Sequence, residues 1–417
     1  MSKVLTPSLR FDGFNEPLVS FSLIQLAEND LSNGVFNDAK LVGSGYKLIN
    51  VKDMYVGDKI ELEKLTLLNI GEPEFKRNQV KYGDVFFTRS SIVPSGIAYS
   101  NVNLSNDDDL TFDGHLMKMS PDQKLVEPYY LSVKFKTWTL RKRFISRGKQ
   151  STMTTIGQSD IADILVEIPS KKEQQKIASF LTSVDSKISH LTEKHRLLTE
   201  YKKGVMQQIF SQQLRFKDED GKAFPEWGNP FLSTVSTLIT NGFVGTATPY
   251  YTDDSGIPYL YGVNIKNNRI NKKSLRYITP EFHKKQLKTN LKIGDLLMVQ
   301  SGHVGETAIV TEEFVDSNCH ALIVTKLMQD KVLPDFINFY FSSEIGKSKL
   351  EALKVGSTII HINTNDLKKF KIPLPSFQEQ QKIAELLQSI DKKIAAVAQQ
   401  VEQTKQFKKG LLQQMFV

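Results

Sequence analysis

The chain carries the same helix-forming segment twice, and this repetition limits what it can fold into more than any other feature. Pro169-Ser170-Lys171-Lys172-Glu173-Gln174-Gln175-Lys176-Ile177-Ala178 returns as Pro375-Ser376-Phe377-Gln378-Glu379-Gln380-Gln381-Lys382-Ile383-Ala384. Lys202-Lys203-Gly204 returns as Lys408-Lys409-Gly410, and Gln207-Gln208 with Phe210 as Gln413-Gln414 with Phe416. Segments 169–210 and 375–416 align without a gap at 19 identities in 42 positions, where ordinary residue frequencies give about two or three. Fainter matches run through the rest of each half. Ser151-Thr152 with Ile156 and Asp160 meets Ser357-Thr358 with Ile362 and Asp366, and Lys81-Tyr82-Gly83-Asp84-Val85 meets Lys292-Ile293-Gly294-Asp295-Leu296. Asn50-Val51-Lys52 meets Asn264-Ile265-Lys266, and Leu9-Arg10-Phe11 meets Leu214-Arg215-Phe216. The spacing between matches drifts in the globular parts, where loops tolerate insertions, and stays fixed in the helical parts. Since Leu214-Arg215-Phe216 follows the first helix and Leu9-Arg10-Phe11 opens the chain, the pattern is circular. Two pseudo-equivalent units with neighbouring termini are expected.

After Pro169, apolar residues fall at Ile177, Leu181, Val184, Ile188, Leu191, Leu198, Val205 and Ile209. In the second copy they fall at Ile383, Leu387, Ile390, Ile394, Val397, Val401, Leu411 and Met415. Alternating steps of four and three make a coiled-coil seam, broken at His195 and at the Lys202 and Lys408 positions. Ser376 with Glu379 reads as a capping box. Gly204 and Gly410 each cost a helix about 1 kcal/mol relative to Ala, for which close packing or a helix crossing is the expected reason. The globular halves lie at opposite ends of the first helix, so the two helices should run antiparallel. Segments 84–88, 161–166 and 295–299 read as strands, and 126–145 and 334–353 as helical. The expected fold is mixed α/β: pseudo-repeated globular domains at 1–168 and 213–374, separated by two long antiparallel coiled-coil helices at 169–212 and 375–417, in a circular pseudo-two-fold arrangement.

Composition narrows the function. The 417 residues include a single cysteine, Cys319, which rules out a disulfide framework and a cysteine-rich zinc site and reads as a core thiol. No apolar run approaches the length of a membrane span, and the first residues lack a signal-peptide core, so the cytoplasm is the expected compartment. A net charge of +8 favours a polyanionic partner. Catalytic machinery is missing. Gly346-Lys347-Ser348 resembles the end of a phosphate-binding loop, but Phe341 stands where that loop needs glycine. Gly43-Ser44-Gly45 opens no strand–helix unit, and Asn229-Pro230-Phe231 lacks the second proline of an adenine methyltransferase motif. A nuclease pairing of Asp335 with Asp366 and Lys368 has Ala162 in place of the lysine in the other half, and no HExxH pair exists.

The doubled Pro-Ser…Glu-Gln-Gln-Lys-Ile-Ala helix, the doubled Lys-Lys-Gly…Gln-Gln…Phe ending and a Gly-Asp strand in each half resemble the specificity subunits of type I restriction–modification enzymes, over essentially the whole chain. The resemblance implies two target-recognition domains, each reading one half of a bipartite double-stranded DNA site, on a helical spacer. It implies two methylation subunits and further restriction and translocase subunits as partners. S-adenosylmethionine, ATP and Mg²⁺ would belong to those partners, and this chain would bind no cofactor or metal and catalyse nothing.

The loop after each Gly-Asp strand is the first candidate for DNA contact: Arg89, Ser90 and Ser91 in one half, Gln300, Ser301 and His303 in the other. Arginine grips guanine and glutamine grips adenine through bidentate contacts in the major groove, so a difference at Arg89 and Gln300 suits two different half-sites. A second strip comprises Gln150, Ser151, Thr152 and Thr154 in one half and Ser357, Thr358 and His361 in the other. Lys47, Lys52 and Lys266 are candidate phosphate contacts, which position without specifying. Gln174, Gln175, Lys176, Gln380, Gln381 and Lys382 repeat off the seam and are candidates for partner docking, or else for building the helix start. Two other readings stand beside this one: the specificity chain of a single-cut restriction system with a fused nuclease–methylase partner, and a coiled-coil adaptor that binds protein alone.

Overall fold

The computed structural model describes residues 7–150, 152–356 and 360–416. It divides into two compact units, one formed by Met1–Leu191 with Gln400–Val417 and the other by Thr192–Gln399. The two long helices, Lys171–Phe210 and Phe377–Met415, each contribute to both units. Each unit thus holds one globular half and a stretch of each helix.

Within each unit the helix stretches run antiparallel, and the same bonds fix them. In the first unit, Leu9 donates its backbone N–H to the Gln414 carbonyl at 3.1 Å while Arg10 binds Glu173 through Nε at 2.9 Å. Further along, Lys408 meets Asp185 at 2.5 Å. In the second unit, Leu214 donates to the Gln208 carbonyl at 3.0 Å, Arg215 binds Glu379 through Nε at 3.0 Å, and Lys202 meets Asp391 at 2.7 Å. These residues correspond one for one across the repeat. The seam lies between them: Ile177, Leu181 and Val184 share a core with Leu411, Met415 and Phe416, and Val205 and Ile209 share one with Ile383, Leu387 and Ile390. The lysines that break the apolar pattern are therefore ion-pair positions. Lys408 is the more buried of the two, bonding Asp58 of the globular part as well as Asp185. Burial alone would raise the Asp58 pKa, but Lys136 and Lys408 hold its carboxyl below the ordinary value.

Two helix details depart from expectation. Ser376 accepts the Glu379 N–H at 3.3 Å, but the Glu379 carboxylate does not complete a capping box. It is fully buried and turns to Arg215 and to the Trp227 indole N–H at 3.0 Å. Close packing does not account for Gly204 and Gly410, because a Cβ on either would meet nothing within 4 Å.

The globular parts share one plan. In the first unit, an antiparallel sheet has the spatial order Ser32–Asn33, Leu116–Met119, Val85–Thr88, Ser100–Val102. In the second, the order is Ser236–Asn241, Leu322–Leu327, Leu296–Val299, Thr307–Ile309. Val85–Thr88 is buried on both faces, which is why it reads as an unbroken apolar run. Phe87 packs on Phe135 and Phe144 at 5.2 and 5.6 Å, and Phe86 on Phe112 at 5.4 Å. The helical stretches are each broken once, into Pro128–Phe135 with Trp138–Arg147 and Pro334–Ser342 with Glu344–Glu351. Segment 161–166 is not one strand. Asp160 accepts the Gly157 N–H and starts the short helix Gln158–Ala162, which buries Ile161, and the strand begins only at Leu165.

The Gly-Asp motif proves structural in both units. Asp84 accepts the Lys81 N–H at 2.8 Å and Asp295 the Lys292 N–H at 2.9 Å, each closing a turn that needs a left-handed glycine, Gly83 at φ +90° and Gly294 at φ +85°. Each aspartate is buried against a lysine, Lys118 at 3.3 Å and Lys326 at 2.9 Å. One sequence match is overturned. Asn50 corresponds to Tyr261 rather than Asn264: both start a 3₁₀ turn, and each backbone N–H is taken by the side chain three residues on, Asp53 and Asn264. Lys52 and Lys266 are therefore not equivalent positions.

The matched Leu9–Gln414 and Leu214–Gln208 bonds indicate that the circle closes without a covalent link. A chain opened near Gln212, with its present ends joined by a short linker, should stay soluble and unfold within a few degrees of the original in a thermal melt. Insoluble protein from every one of several linker lengths would refute the closure.

Candidate nucleic-acid interface

In both units the two candidate strips become hydrogen-bonded neighbours at the end of the central strand. Ser90–Ser91 pairs with Thr154–Thr155, which pairs in turn with Lys149–Gln150. In the second unit Ser301 bridges His361, and His361–Ile362 pairs with Lys354–Val355. Arg89 and Gln300 hold the same backbone position: the N–H of Ile156 donates to the Arg89 carbonyl at 3.0 Å, and that of Ile362 to the Gln300 carbonyl at 3.2 Å. Residues far apart in sequence thus form one small patch per unit, with different side chains on a common frame.

Within the patch the candidates differ in availability. Arg89 is half-buried and spends Nη1 on the Gly114 carbonyl at 2.8 Å. Gln300 is also half-buried, with Nε2 3.4 Å from the Ile362 carbonyl. Gln150, Thr152, Ser301 and His303 are exposed, and Ser90, Ser91 and His361 partly so. Thr154 is 4% exposed and serves the core rather than a ligand. Ser151, Ser357 and Thr358 lie outside the described residues. Lys52 and Lys266 are exposed, Lys266 on a hairpin turned by left-handed Asn267 and Asn268. Lys47 is not free for a phosphate, since it pairs with Asp107 at 2.7 Å and Asp109 at 3.1 Å, and these bonds hold its pKa above the usual value.

The docking candidates divide in the same way. Gln174 and Gln380 are fully buried. Gln174 accepts the Glu127 N–H at 2.9 Å and donates to the Leu125 and Pro169 carbonyls; Gln380 accepts the Leu333 N–H at 2.8 Å and donates to Lys331 and Pro375. They anchor each helix to its globular part and cannot meet a partner. Lys382 donates to the Lys217 carbonyl at 2.8 Å, whereas Gln175, Lys176 and Gln381 stay exposed.

Sequence reasoning missed two features. Beside Arg89, whose N–H donates to the His115 carbonyl, the exposed His115 ring is held by Asp113 at 2.9 Å. The position matching Asp113 is His320, since both donate a backbone N–H to the strand end, at Ile49 and Leu260. There the surroundings are aromatic: His320 stacks on Tyr261, and Arg276 lies 4.9 and 5.0 Å from the Tyr251 and Tyr261 rings. The two positions share no residue type, so no repeat signal exists. The second feature is an exposed aromatic at one repeat position on each helix, Tyr201 and Phe407, each one turn before the open glycine. That signal was present in the alignment. Cys319 is buried, its thiol pushed up to about 12 mainly by desolvation, as befits a core residue. Among the described residues no group of three or more His, Cys, Asp or Glu could hold a metal ion, and no helix is long and apolar enough to cross a membrane.

The units are thus two copies of one frame, carrying different polar side chains at the same strand end. The model of the family described as type I restriction modification DNA specificity domain matches residues 37–199 and again 237–406. The chain belongs to this family, whose function is DNA sequence recognition without catalysis of its own. It is 25% identical over 382 residues to the MjaX specificity subunit of Methanocaldococcus jannaschii, covering 88% of this chain and 85% of that one. It is 24% identical over 310 residues to the MjaVIII specificity subunit of the same organism, covering 71% of each. Its fold is similar to the crystal structure of a type I restriction–modification S subunit from M. genitalium, with TM-score 0.58, 14% identity and 99% of both chains covered. A chain from a structural study of complex assembly in the type I system gives TM-score 0.56 at 17% identity, over 97% of this chain and 98% of that one.

If Arg89 reads a base, substituting it by Ala should cost about 1–3 kcal/mol of discrimination in one half-site, and no change would leave it a residue of the loop alone. Binding to a panel of single-base variants measures this. Equal loss on every duplex would make Arg89 a backbone contact.

Proposed function

We propose that the chain reads a bipartite, asymmetric double-stranded DNA site, with one half-site taken by 1–168 and the other by 213–374. Recognition directs adenine methylation by two methylation subunits and ATP-dependent cleavage by restriction and translocase subunits, in the cytoplasm. The observation that carries this reading is the shared backbone frame that presents Arg89 in one unit and Gln300 in the other. Guanine and adenine recognition call for these two side chains respectively. S-adenosylmethionine, ATP and Mg²⁺ are assigned to the partners. Exchanging 213–374 for the corresponding domain of a relative, then mapping methylated adenines, should change one half of the methylated sequence and preserve the other. A change in both halves, or in neither, defeats the assignment of one domain per half-site.

Docking of two copies of one partner fits the helix surface better at Tyr201 with Gly204 and at Phe407 with Gly410 than at the buried glutamines. Tyr201 is 58% and Phe407 55% exposed, and the glycine one turn on leaves room for a close helix approach. Interface aromatics of this kind carry much of the binding energy. Tyr201→Ala or Phe407→Ala should each lower the number of bound methylation subunits from two to one, and the double variant to none, in native mass measurements. Gly204→Ala with Gly410→Ala should stabilise the isolated chain by about 1 kcal/mol per site and still weaken assembly. Full two-partner assembly by both double variants would move the docking surface elsewhere.

A further inference from the structure

The strand-end loops differ between the units in one coordinated way. The N–H of Thr88 donates to the Tyr99 carbonyl and that of Val299 to the Glu306 carbonyl, which makes Arg89–Ile97 the counterpart of Gln300–Val304. The first unit's loop is therefore longer. Ile92 at its tip is 84% exposed and Val93 55%. The loop is nonetheless held tightly from below. Arg141, only 7% exposed, donates from Nη1 to the Ala98 carbonyl at 2.5 Å and from Nη2 to the Ser95 and Ile97 carbonyls at 2.9 and 2.5 Å. It forms no ion pair among the described residues; its charge is met by these carbonyls and by the Tyr99 and Phe144 rings at 5.8 and 6.0 Å, so a buried guanidinium is committed to holding the loop's shape. Thr88 Oγ1 donates to the Gly96 carbonyl at 2.7 Å, and Tyr55 Oη to the same oxygen at 3.3 Å. Gly96 allows the loop to fold back, since a Cβ there would come within 2.2 Å of Ser91 Oγ. Ala98 is kept at φ +45°, a left-handed conformation that costs a non-glycine residue energy; at the matching position the second unit has Gly305. That unit, with the short loop, has exposed Lys347 in place of Arg141.

A loop held in this way lifts Ile92 beside Ser90 and Ser91 and gives an apolar tip to a patch that is polar apart from Val93 and Met153. The one apolar feature on the major-groove edge of a base pair is the 5-methyl group of thymine. We propose that Ile92 is a base-reading contact of the first unit, meeting a thymine methyl group in the major groove, and that Arg141 is its positioning residue. This rests on the DNA-reading function proposed above and adds a specificity determinant to one half-site.

The test uses the full chain assembled with its methylation subunits. In duplexes, each thymine of the half-site assigned to 1–168 is replaced in turn by uracil, which keeps the hydrogen-bonding groups and lacks the methyl. The original protein should bind one uracil duplex about fourfold more weakly, the value of one buried methyl-sized group. Ile92→Ala, an exposed substitution that leaves the core intact, should bind the thymine and uracil forms of that duplex equally. Arg141→Lys and Gly96→Ala should narrow the same ratio and leave thymine-to-uracil changes in the other half-site without effect, which a general loss of stability would not do. The assignment fails if no thymine in that half-site is sensitive, or if Ile92→Ala keeps the sensitivity. It fails also if Ile92→Ala weakens all duplexes alike with the ratio unchanged. Absence of any sequence preference in the original complex would instead count against the DNA-reading function itself.

Discussion

Two ion pairs, each made twice, carry the architecture. Glu173 and Glu379 are almost wholly buried at the helix starts, and each is satisfied by an arginine that follows the preceding helix in the circular order, Arg10 and Arg215. Removing one partner of such a pair strands a buried charge, at a cost of about 3–5 kcal/mol. The arginine therefore cannot wander, and with it the backbone from Leu9 or Leu214 is fixed against the end of the preceding helix. Lys202–Asp391 and Lys408–Asp185 then set the register of the seam. Apolar heptads alone would tolerate a slip of one repeat; a lysine in the seam that must find an aspartate does not.

Above this frame the units are free to differ. The turn built by Gly83-Asp84 or Gly294-Asp295 aims a buried strand at the same place in each, and beyond the strand's end exposed side chains such as Gln150, Ile92, Ser301 and His303 lie outside the core. Asp113 with His115 occupies the region that Tyr261, His320 and Arg276 fill in the other unit. A scaffold of buried charges under this rim lets its side chains change without loss of the fold.

The sequence made the helices legible because they are long, periodic and duplicated, and it made the Gly-Asp strand legible because the turn needs those residue types. It misled where identity of letters was not identity of place. Asn50 and Asn264 match as letters, yet the chain sets Asn50 against Tyr261 and gives Asn264 the role of Asp53. Gln174 and Gln380 repeat because they must bind backbone groups about as far back as residues 125 and 331, partners that no local pattern displays. Lys47 was read as a free cation because Asp107 and Asp109 reach it only after the strands pair. Nothing in the sequence singles out Arg141, because its hydrogen-bond partners are carbonyl oxygens, which every residue has.

The division into units bears on how the protein is made. The second unit is continuous in sequence, Thr192–Gln399, whereas the first needs Gln400–Val417 as well. Leu411, Met415 and Phe416 belong to the first unit's core, and the Gln414 carbonyl receives Leu9. On a ribosome the amino-terminal part is synthesised first, and its core lacks Leu411, Met415 and Phe416 until the whole of the other unit has been made. The usual amino-terminal-first order of vectorial folding therefore does not suit this connectivity: the continuous unit has all its residues before the divided one does.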